Sequence, residues 1–290
     1  MYYKTRGYRL FSLFNHVLLG LLALLCILPM LHLLAVSLSS AAKAGAGLVT
    51  FWPQEFTLYA YQKSVMNAQF ASSLWVSVQR TVLGTAFSMF VMLLAAYSLS
   101  KDSRALKGRS VYLWYFVFTM LFNGGLIPNY ILVSKLGLMD TLWALILPGA
   151  VSVYNVILLL NFFRTVPAEL EESALMDGAG HFRTFWSIFL PISLPAIATI
   201  SLFTMVGHWN AYFDGLIYIK DKVNYPLASY LQTIIVQQDF RTLGVEDFQN
   251  FSQRTLKAAQ IFVGALPIML VYPFLQRFFV KGMVLGAVKE

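Results

Sequence analysis

The sequence is poor in charged residues and has almost no cysteine. Aspartate, glutamate, lysine and arginine make up 12% of the 290 residues, and only 13 residues are acidic. So little charge does not supply the polar surface that a soluble protein of this length needs. The single cysteine, Cys26, excludes an intrachain disulfide and leaves the redox compartment open.

Several chemistries also lack their usual residue patterns. The phosphate-binding sequence G-x-x-x-x-G-K-[ST] does not occur, so the chain is not expected to hydrolyse ATP itself. His16, His32, His181 and His208 are not spaced with Cys26 or with clustered acids as metal ligands are. No nucleophile–base pair is visible. We therefore expect no catalytic residue, no metal and no cofactor in this chain.

Apolar residues dominate what is there. They amount to 58% of the chain, aromatic residues to 16%, and the mean hydropathy is +0.67. Several runs reach the roughly 20 apolar residues that a helix needs to cross a bilayer. The pattern predicts an all-α membrane protein, a bundle of about six transmembrane helices rather than a β-barrel. The predicted spans are 11–36, 71–99, 111–134, 140–163, 190–213 and 256–279.

The basic residues predict the orientation of these spans. The net charge of the chain is +8. The lysines and arginines cluster at the ends of apolar runs, which is typical of residues that set membrane topology rather than of nucleic-acid binding. Placing the N-terminus in the cytoplasm puts twelve of them in short cytoplasmic segments and eight in longer external ones. We therefore predict cytoplasmic termini, external loops at 37–70 and 214–255, and one transmembrane domain over 1–290.

An acidic, glycine-containing segment, "ELEESALMDGAG", interrupts the apolar runs within the predicted cytoplasmic stretch 164–189. Pro167 suits a first helical position, and the glutamates that follow favour the positive end of a helix dipole. Gly178 suits a left-handed C-cap. The segment predicts a short capped helix between spans four and five.

The next stretch, "HFRTFWSIF", predicts a second short helix. Phe182, Phe185, Trp186 and Phe189 recur at i, i+3, i+4 and i+7, which would give one aromatic face suited to a membrane interface. On physical grounds alone, a plain solvated connector remains an alternative for the whole segment.

A resemblance favours a docking role. Glu172-Ser173-Ala174, then Gly178, then Ile188 and Leu190-Pro191 resemble the EAA motif of permease subunits in ATP-binding-cassette (ABC) importers, with Ser173 in place of the middle alanine. The resemblance implies a coupling helix that docks on an ATPase subunit. The residues implied in coupling are Glu172, Ser173, Ala174, Asp177, Gly178, Leu190 and Pro191.

The rest of the chain resembles the carbohydrate-importer permeases of the maltose type. The likeness is clearest over 122–159 and in the tail 276–290, and it is nearest to the branch that serves polysaccharide-derived oligosaccharides, including uronate-containing ones such as alginate. It implies a bacterial inner-membrane subunit that works by alternating access. The implied partners are a second permease, two ATPase subunits that bind ATP and Mg, an external binding protein and an oligosaccharide.

Two other functions stay as alternatives. The first is an ABC permease of the same architecture for another solute, such as an amino acid or phosphate. The second is an autonomous ion-coupled carrier or membrane enzyme, which should place acidic residues inside its spans. The predicted spans contain no acid except Asp140 at a boundary, which disfavours the carrier.

Two stretches supply candidate pathway residues. Arg80 lies well inside span two, where a charge is costly and usually functional, so it is a candidate for attracting an anionic sugar. The alternative is that it snorkels outward or pairs with an acid. The end of span five offers rings that suit sugar faces and polar groups that suit hydroxyls, or else an interfacial aromatic belt. Its candidates are Trp209, Asn210, Tyr212, Phe213 and Asp214.

Overall fold

The computed structural model describes residues 6–103, 105–239 and 247–287, and these ranges contain helices and loops but no strand. The fifteen α-helices of the described ranges are α1 (Arg6–Ser37), α2 (Ala41–Gly45), α3 (Tyr59–Met66), α4 (Ala68–Ser100), α5 (Arg109–Leu121), α6 (Leu126–Lys135), α7 (Leu142–Ile146), α8 (Val153–Phe163), α9 (Ala168–Met176), α10 (His181–Thr184), α11 (Leu190–Ile192), α12 (Leu194–Asn210), α13 (Phe213–Tyr218), α14 (Leu227–Asp239) and α15 (Asp247–Ala287).

Within the described ranges, three stretches of unbroken helix are long and apolar enough to cross a membrane, and they lie in α1, α4 and α15. The most apolar 18-residue stretch of α1 contains no buried side chain. A helix that is apolar all round needs an apolar environment, and a bilayer provides one. The corresponding stretch of α4 is 39% buried, which makes α4 the helix around which the neighbouring segments pack.

Three further spans are each made of two helices that meet at a bend. The bend is 113° between α5 and α6, 55° between 142–149 and α8, and 84° between 181–192 and α12. Counting each bent pair as one span gives six, which confirms the predicted six-span helical fold. The predicted spans 111–134, 140–163 and 190–213 are therefore broken rather than continuous.

The breaks follow from glycine and proline. Gly125 separates α5 from α6 and has φ +90°, which is not a helical conformation. Because this conformation is strained for residues with a Cβ, it favours glycine at this position. Pro148 and Gly149 form a 3₁₀ turn after α7, and Pro195 lies in the first turn of α12, where its missing N–H costs least.

The described residues divide into two compact units. The first comprises the described parts of 1–71 and 233–266 and has a small apolar core around Ala35, Val36 and Ala258. The second comprises the described parts of 72–232 and 267–290. Its core gathers Met92, Leu159, Phe163, Phe185, Phe189 and their neighbours. The sequence-predicted site residues all lie in the second unit, and the single domain over 1–290 stays a prediction.

The two long predicted loops contain helices of their own. Residues 37–70 hold α2 and α3, and residues 214–255 hold most of α13, all of α14 and the start of α15. Residues 240–246 of the second loop, residues 288–290 of the tail and the tail's side chains lie outside the described part of the chain. The external location of both loops stays a prediction.

Candidate functional sites

Arg80 lies inside α4 with 2% of its surface exposed, and it forms an ion pair with Asp214 of α13. Its Nη2 pairs with Oδ2 of Asp214 and also donates to the carbonyl of Leu145 at 3.2 Å. Its Nη1 donates to Oδ1 of Asp214 at 3.2 Å and to the carbonyl of Ala211 at 2.9 Å. One guanidinium therefore joins α4, α7 and the break between α12 and α13.

Of the interpretations that the sequence left open for Arg80, this arrangement favours pairing with an acid. A buried charge is tolerated when it is paired and hydrogen-bonded, and Asp214 supplies both the charge and a fork of two acceptors. The side chain of Asp214 is 26% exposed, so the pair is reached by solvent from the Asp214 side. A role of Arg80 with an anionic sugar stays a prediction.

The pair forms part of the wall of a cavity of about 470 Å³. Polar and apolar side chains share its lining, including Ser152, Asn155, Phe203, Thr204, His208 and Tyr218. A volume of this size is in the range of small-molecule sites. Among the six pathway candidates taken from the sequence, Arg80 and Asp214 line this cavity.

His208 and Asn155 are cavity residues that the sequence did not single out as such. His208 is 8% exposed, and its Nε2 lies 3.3 Å from the hydroxyl of Ser88. Its ring lies against Gly84 of α4, where an added Cβ would meet it at 2.9 Å. Asn155 is also 8% exposed and follows the cap of α8. The sequence signal that could have identified both residues is a polar side chain within an apolar run.

The remaining candidates near the end of α12 do not converge. Trp209 is buried at 8% exposure, whereas Asn210 is exposed. Tyr212 and Phe213 are 43% and 54% exposed, and their rings meet edge to face at 6.4 Å. The rings of Tyr212 and Phe213 are therefore exposed beside Asp214 in the sequence, whereas the Trp209 side chain is packed inside the protein.

The acidic segment forms the capped helix that its sequence predicts. α9 runs over Ala168–Met176, with Pro167 one residue before its first turn rather than in it. After Asp177, Gly178 adopts φ +79°. The N–H of Gly178 donates to the carbonyl of Leu175 at 3.0 Å, and that of Ala179 to Ala174 at 2.9 Å. These two bonds form a Schellman motif, which ends the helix sharply at the glycine.

α9 has an inner and an outer face. Glu171 and Ala174 are the partly buried positions, and the other side chains of the helix are exposed. The outer face carries Glu169, Glu172, Ser173 and Met176, and Met176 is 88% exposed. The hydroxyl of Ser173 donates to the carbonyl of Glu169 at 2.7 Å, so its polar group is satisfied within the helix.

The aromatic stretch after Gly178 is helical, but its predicted single aromatic face is wrong. Phe185 and Phe189 are buried at 3% and 4% exposure, while Phe182 and Trp186 are 67% and 52% exposed. A π-helical turn over Phe185–Phe189 widens the helical repeat, so residues four apart share a face and residues three apart do not. Leu190 is partly buried and packs against the core, and Pro191 is exposed in α11.

Lys101, just after α4, forms a further, partly buried ion pair that the sequence did not reveal. Its Nζ lies 2.6 Å from Oε1 of Glu171, and the side chains are 11% and 21% exposed. Burial lowers the pKa of Lys101, and the hydrogen bond and charge of Glu171 act in the opposite direction. The pair joins the end of α4 to the inner face of α9.

Comparison with known proteins places this architecture in a family. The family model described as a binding-protein-dependent transport system inner membrane component matches residues 94–285. Protein LplC of Bacillus subtilis is 42% identical over 99% of this chain and 97% of its own length. The polygalacturonan/rhamnogalacturonan transport system permease YtcP of the same organism is 42% identical over 97% of this chain and 99% of its own.

A solved structure is similar in fold along the whole chain. It is a crystal structure of a bacterial ABC transporter involved in the import of the acidic polysaccharide alginate, and the matched chain has a TM-score of 0.86 and 32% identity. The match covers 96% of this chain and 100% of that one. Together with the six apolar spans, these matches make this chain a multi-pass membrane transport component that belongs to the family of binding-protein-dependent transport system inner membrane components.

Proposed function

We propose that this chain is the permease subunit of an ABC importer for oligosaccharides released from acidic polysaccharides. The observation that carries the proposal is similarity over nearly the whole chain to a chain of an alginate importer, and a second match, to a permease named for polygalacturonan and rhamnogalacturonan, agrees with it. Alginate and polygalacturonan are both polymers of uronic acids. Similarity over 96% to 97% of the chain includes the pathway helices as well as the coupling segment.

In this proposal the chain supplies the membrane path and does no chemistry itself. A second permease completes the path, two ATPase subunits hydrolyse ATP, and an external binding protein delivers the sugar. α9 docks on one ATPase, with Glu172, Ser173 and the cap at Asp177 and Gly178 at the contact. The exposed outer face of α9 and its sharply capped end support this role, because a short rigid helix transmits displacement.

The cavity beside the Arg80–Asp214 pair is the proposed pathway element within this subunit. Because Asp214 already neutralises Arg80, a uronate carboxylate would have to displace Asp214 in order to pair with the guanidinium. Asn155 and His208 offer hydrogen-bonding groups for sugar hydroxyls at the same cavity. The exposed rings of Tyr212 and Phe213 offer stacking surfaces nearby, with Asn210 and Trp209 on the preceding turn.

Reconstitution tests the substrate class. The chain is inserted into proteoliposomes with its second permease, ATPase subunits and binding protein, and ATPase stimulation is compared for oligogalacturonate, oligoalginate and malto-oligosaccharides of equal length. We expect stimulation and uptake with at least one uronate series and none with the neutral series. Stimulation by the neutral series alone would contradict the acidic substrate, and stimulation by none of the sugars would contradict the sugar assignment.

A further inference from the structure

The ammonium of Lys101 contacts one carboxylate and two aromatic rings. Besides its 2.6 Å ion pair with Glu171, Nζ lies 4.0 Å from the ring centroid of Tyr97 and 4.0 Å from that of Phe189. A cation over two aromatic faces is attracted by both ring quadrupoles, and partial burial strengthens that attraction. Lys101 thus connects three elements: α4 through Tyr97, α9 through Glu171, and the π-helical turn through Phe189.

The end of α4 also holds the segment on the other side of Gly178. The hydroxyl of Tyr97 donates to the carbonyl of His181, the first residue of α10, at 3.1 Å. The Tyr97 ring packs on Phe185 and Phe189, with centroids 4.9 Å and 5.0 Å away. The segments before and after the Gly178 turn therefore both contact the same end of α4. α9 does so through the Glu171 ion pair, α10 through the hydrogen bond at His181, and the π-helical turn through ring packing.

α4 is suited to carry displacement away from this contact. It runs unbroken from Ala68 to Ser100 and has no internal proline. Lys101 lies 21 positions after Arg80, which is about 31 Å along a helix at 1.5 Å per residue. Arg80 is bonded to Asp214 and to the carbonyl of Ala211. One stiff helix therefore connects the inner face of α9 with the wall of the cavity.

We propose that Lys101 is a positioning residue that clamps α9 to α4, so that displacement of α9 by a docked ATPase moves α4 and with it the Arg80–Asp214 wall of the cavity. The proposal rests on the proposed function for the docking of α9. It assigns Glu171 to the clamp and Glu172 to the partner contact, although the two glutamates are adjacent in sequence. Their burial separates the roles, since Glu171 is partly buried against Lys101 and Glu172 is exposed.

The clamp requires a positive charge and not just a long side chain. Glu171 is 21% exposed and Lys101 is 11% exposed, so removing either partner leaves the other charge incompletely solvated. Lys101→Met keeps the length of the side chain and removes the charge, whereas Lys101→Arg keeps the charge. Glu171→Gln removes the acid from a partly exposed helix position. Lys107→Gln is the matched control, because Lys107 is exposed in the same connection between α4 and α5.

The test uses the complete reconstituted transporter and measures sugar transported per ATP hydrolysed, together with ATPase retained on affinity purification. We expect Lys101→Met and Glu171→Gln to retain the ATPase and to lower the transport ratio at least about fivefold, the lower end of typical coupling effects. Lys101→Arg should restore most of the ratio, and Lys107→Gln should match wild type.

The outcomes separate this clamp from the proposed function. A normal transport ratio in Lys101→Met would overturn the clamp while wild-type sugar uptake upholds the permease role. Loss of ATPase retention in both Lys101→Met and Glu171→Gln would make the pair a requirement for assembly and would also overturn it. Absence of sugar-stimulated ATPase in wild type would remove both proposals.

Discussion

Arg80 and Asp214 illustrate how a single side chain inside a span depends on its partner. The guanidinium is almost fully buried, and its bonds reach two backbone carbonyls as well as the carboxylate. Those bonds satisfy polar groups next to the bend after α7 and the break after α12, where regular helical bonding stops. The ion pair therefore neutralises the buried charge of Arg80, and the same guanidinium supplies hydrogen bonds to backbone carbonyls where the helices are interrupted.

Asp214→Asn should destabilise the protein more than removal of both charges does. The single change leaves the Arg80 charge buried without a counter-ion, and breaking such a pair typically costs about 3–5 kcal/mol. The Arg80→Gln/Asp214→Asn double variant has no buried charge and should lie nearer to wild type. The measurement is thermal unfolding of the detergent-purified chain, with Lys135→Gln as a control for loss of an exposed cation. A double variant less stable than Asp214→Asn would contradict the ion-pair interpretation.

At the scale of helices, the segment from α9 to α11 combines a sharp stop with a wide turn. The Schellman motif at Gly178 ends α9, and the π-helical turn rotates Phe185 and Phe189 into the core. The outer face of α9 is left exposed, as are Phe182 and Trp186 in the segment that follows. Both the exposed surface and the buried attachment thus depend on the backbone geometry at these two turns.

Gly178→Ala should weaken ATPase retention, and Gly180→Ala should not. At Gly178 the backbone has φ +79°, which costs roughly 1–2 kcal/mol for a residue with a Cβ, so the last turn of α9 should shift or fray. Gly180 has φ −74°, and a Cβ added there would meet no atom within 4 Å, which makes it a close control. The measurement is the amount of ATPase subunit that copurifies from membranes. Equal retention in the two variants would show that the left-handed cap is dispensable for docking.

At the scale of the whole molecule, the distribution of basic residues predicts how the spans are oriented across the membrane. Twelve lysines and arginines fall in the segments predicted to be cytoplasmic and eight in the longer segments predicted to be external. Short flanking segments dominate this preference, since long loops cross the membrane largely regardless of charge. The same orientation puts α9 on the side where ATP is available.

Cysteine labelling should reveal that orientation directly, because Cys26 is the only cysteine. In a Cys26→Ser background, a membrane-impermeant maleimide should label Asn224→Cys in intact cells and Ser173→Cys only after permeabilisation. Both positions are exposed in the structure, and the chain is expressed here without the ATPase subunits that would cover Ser173, so access depends on the side of the membrane and not on burial. Labelling of Ser173→Cys in intact cells would reverse the topology and remove α9 from the cytoplasmic face.

Local features were the most predictable part of this protein. The helix before Gly178 could be predicted because its acids, its length and its glycine act within the segment. The burial of Phe185 and Phe189 could not, because it depends on a π-helical turn and on Tyr97, which lies 88 positions before Phe185 along the chain. The same limit applied to Lys101 and Glu171, which are 70 positions apart.

The membrane class, the six helical spans and the capped acidic helix follow from the amino-acid sequence alone, because apolar length, glycine and proline act on the backbone locally. Which charges form ion pairs is seen only in the folded chain. Arg80 pairs with Asp214 and Lys101 with Glu171 because helix packing brings distant segments together. An unpaired charge is costly at the buried Arg80 and is incompletely solvated at the partly buried Lys101.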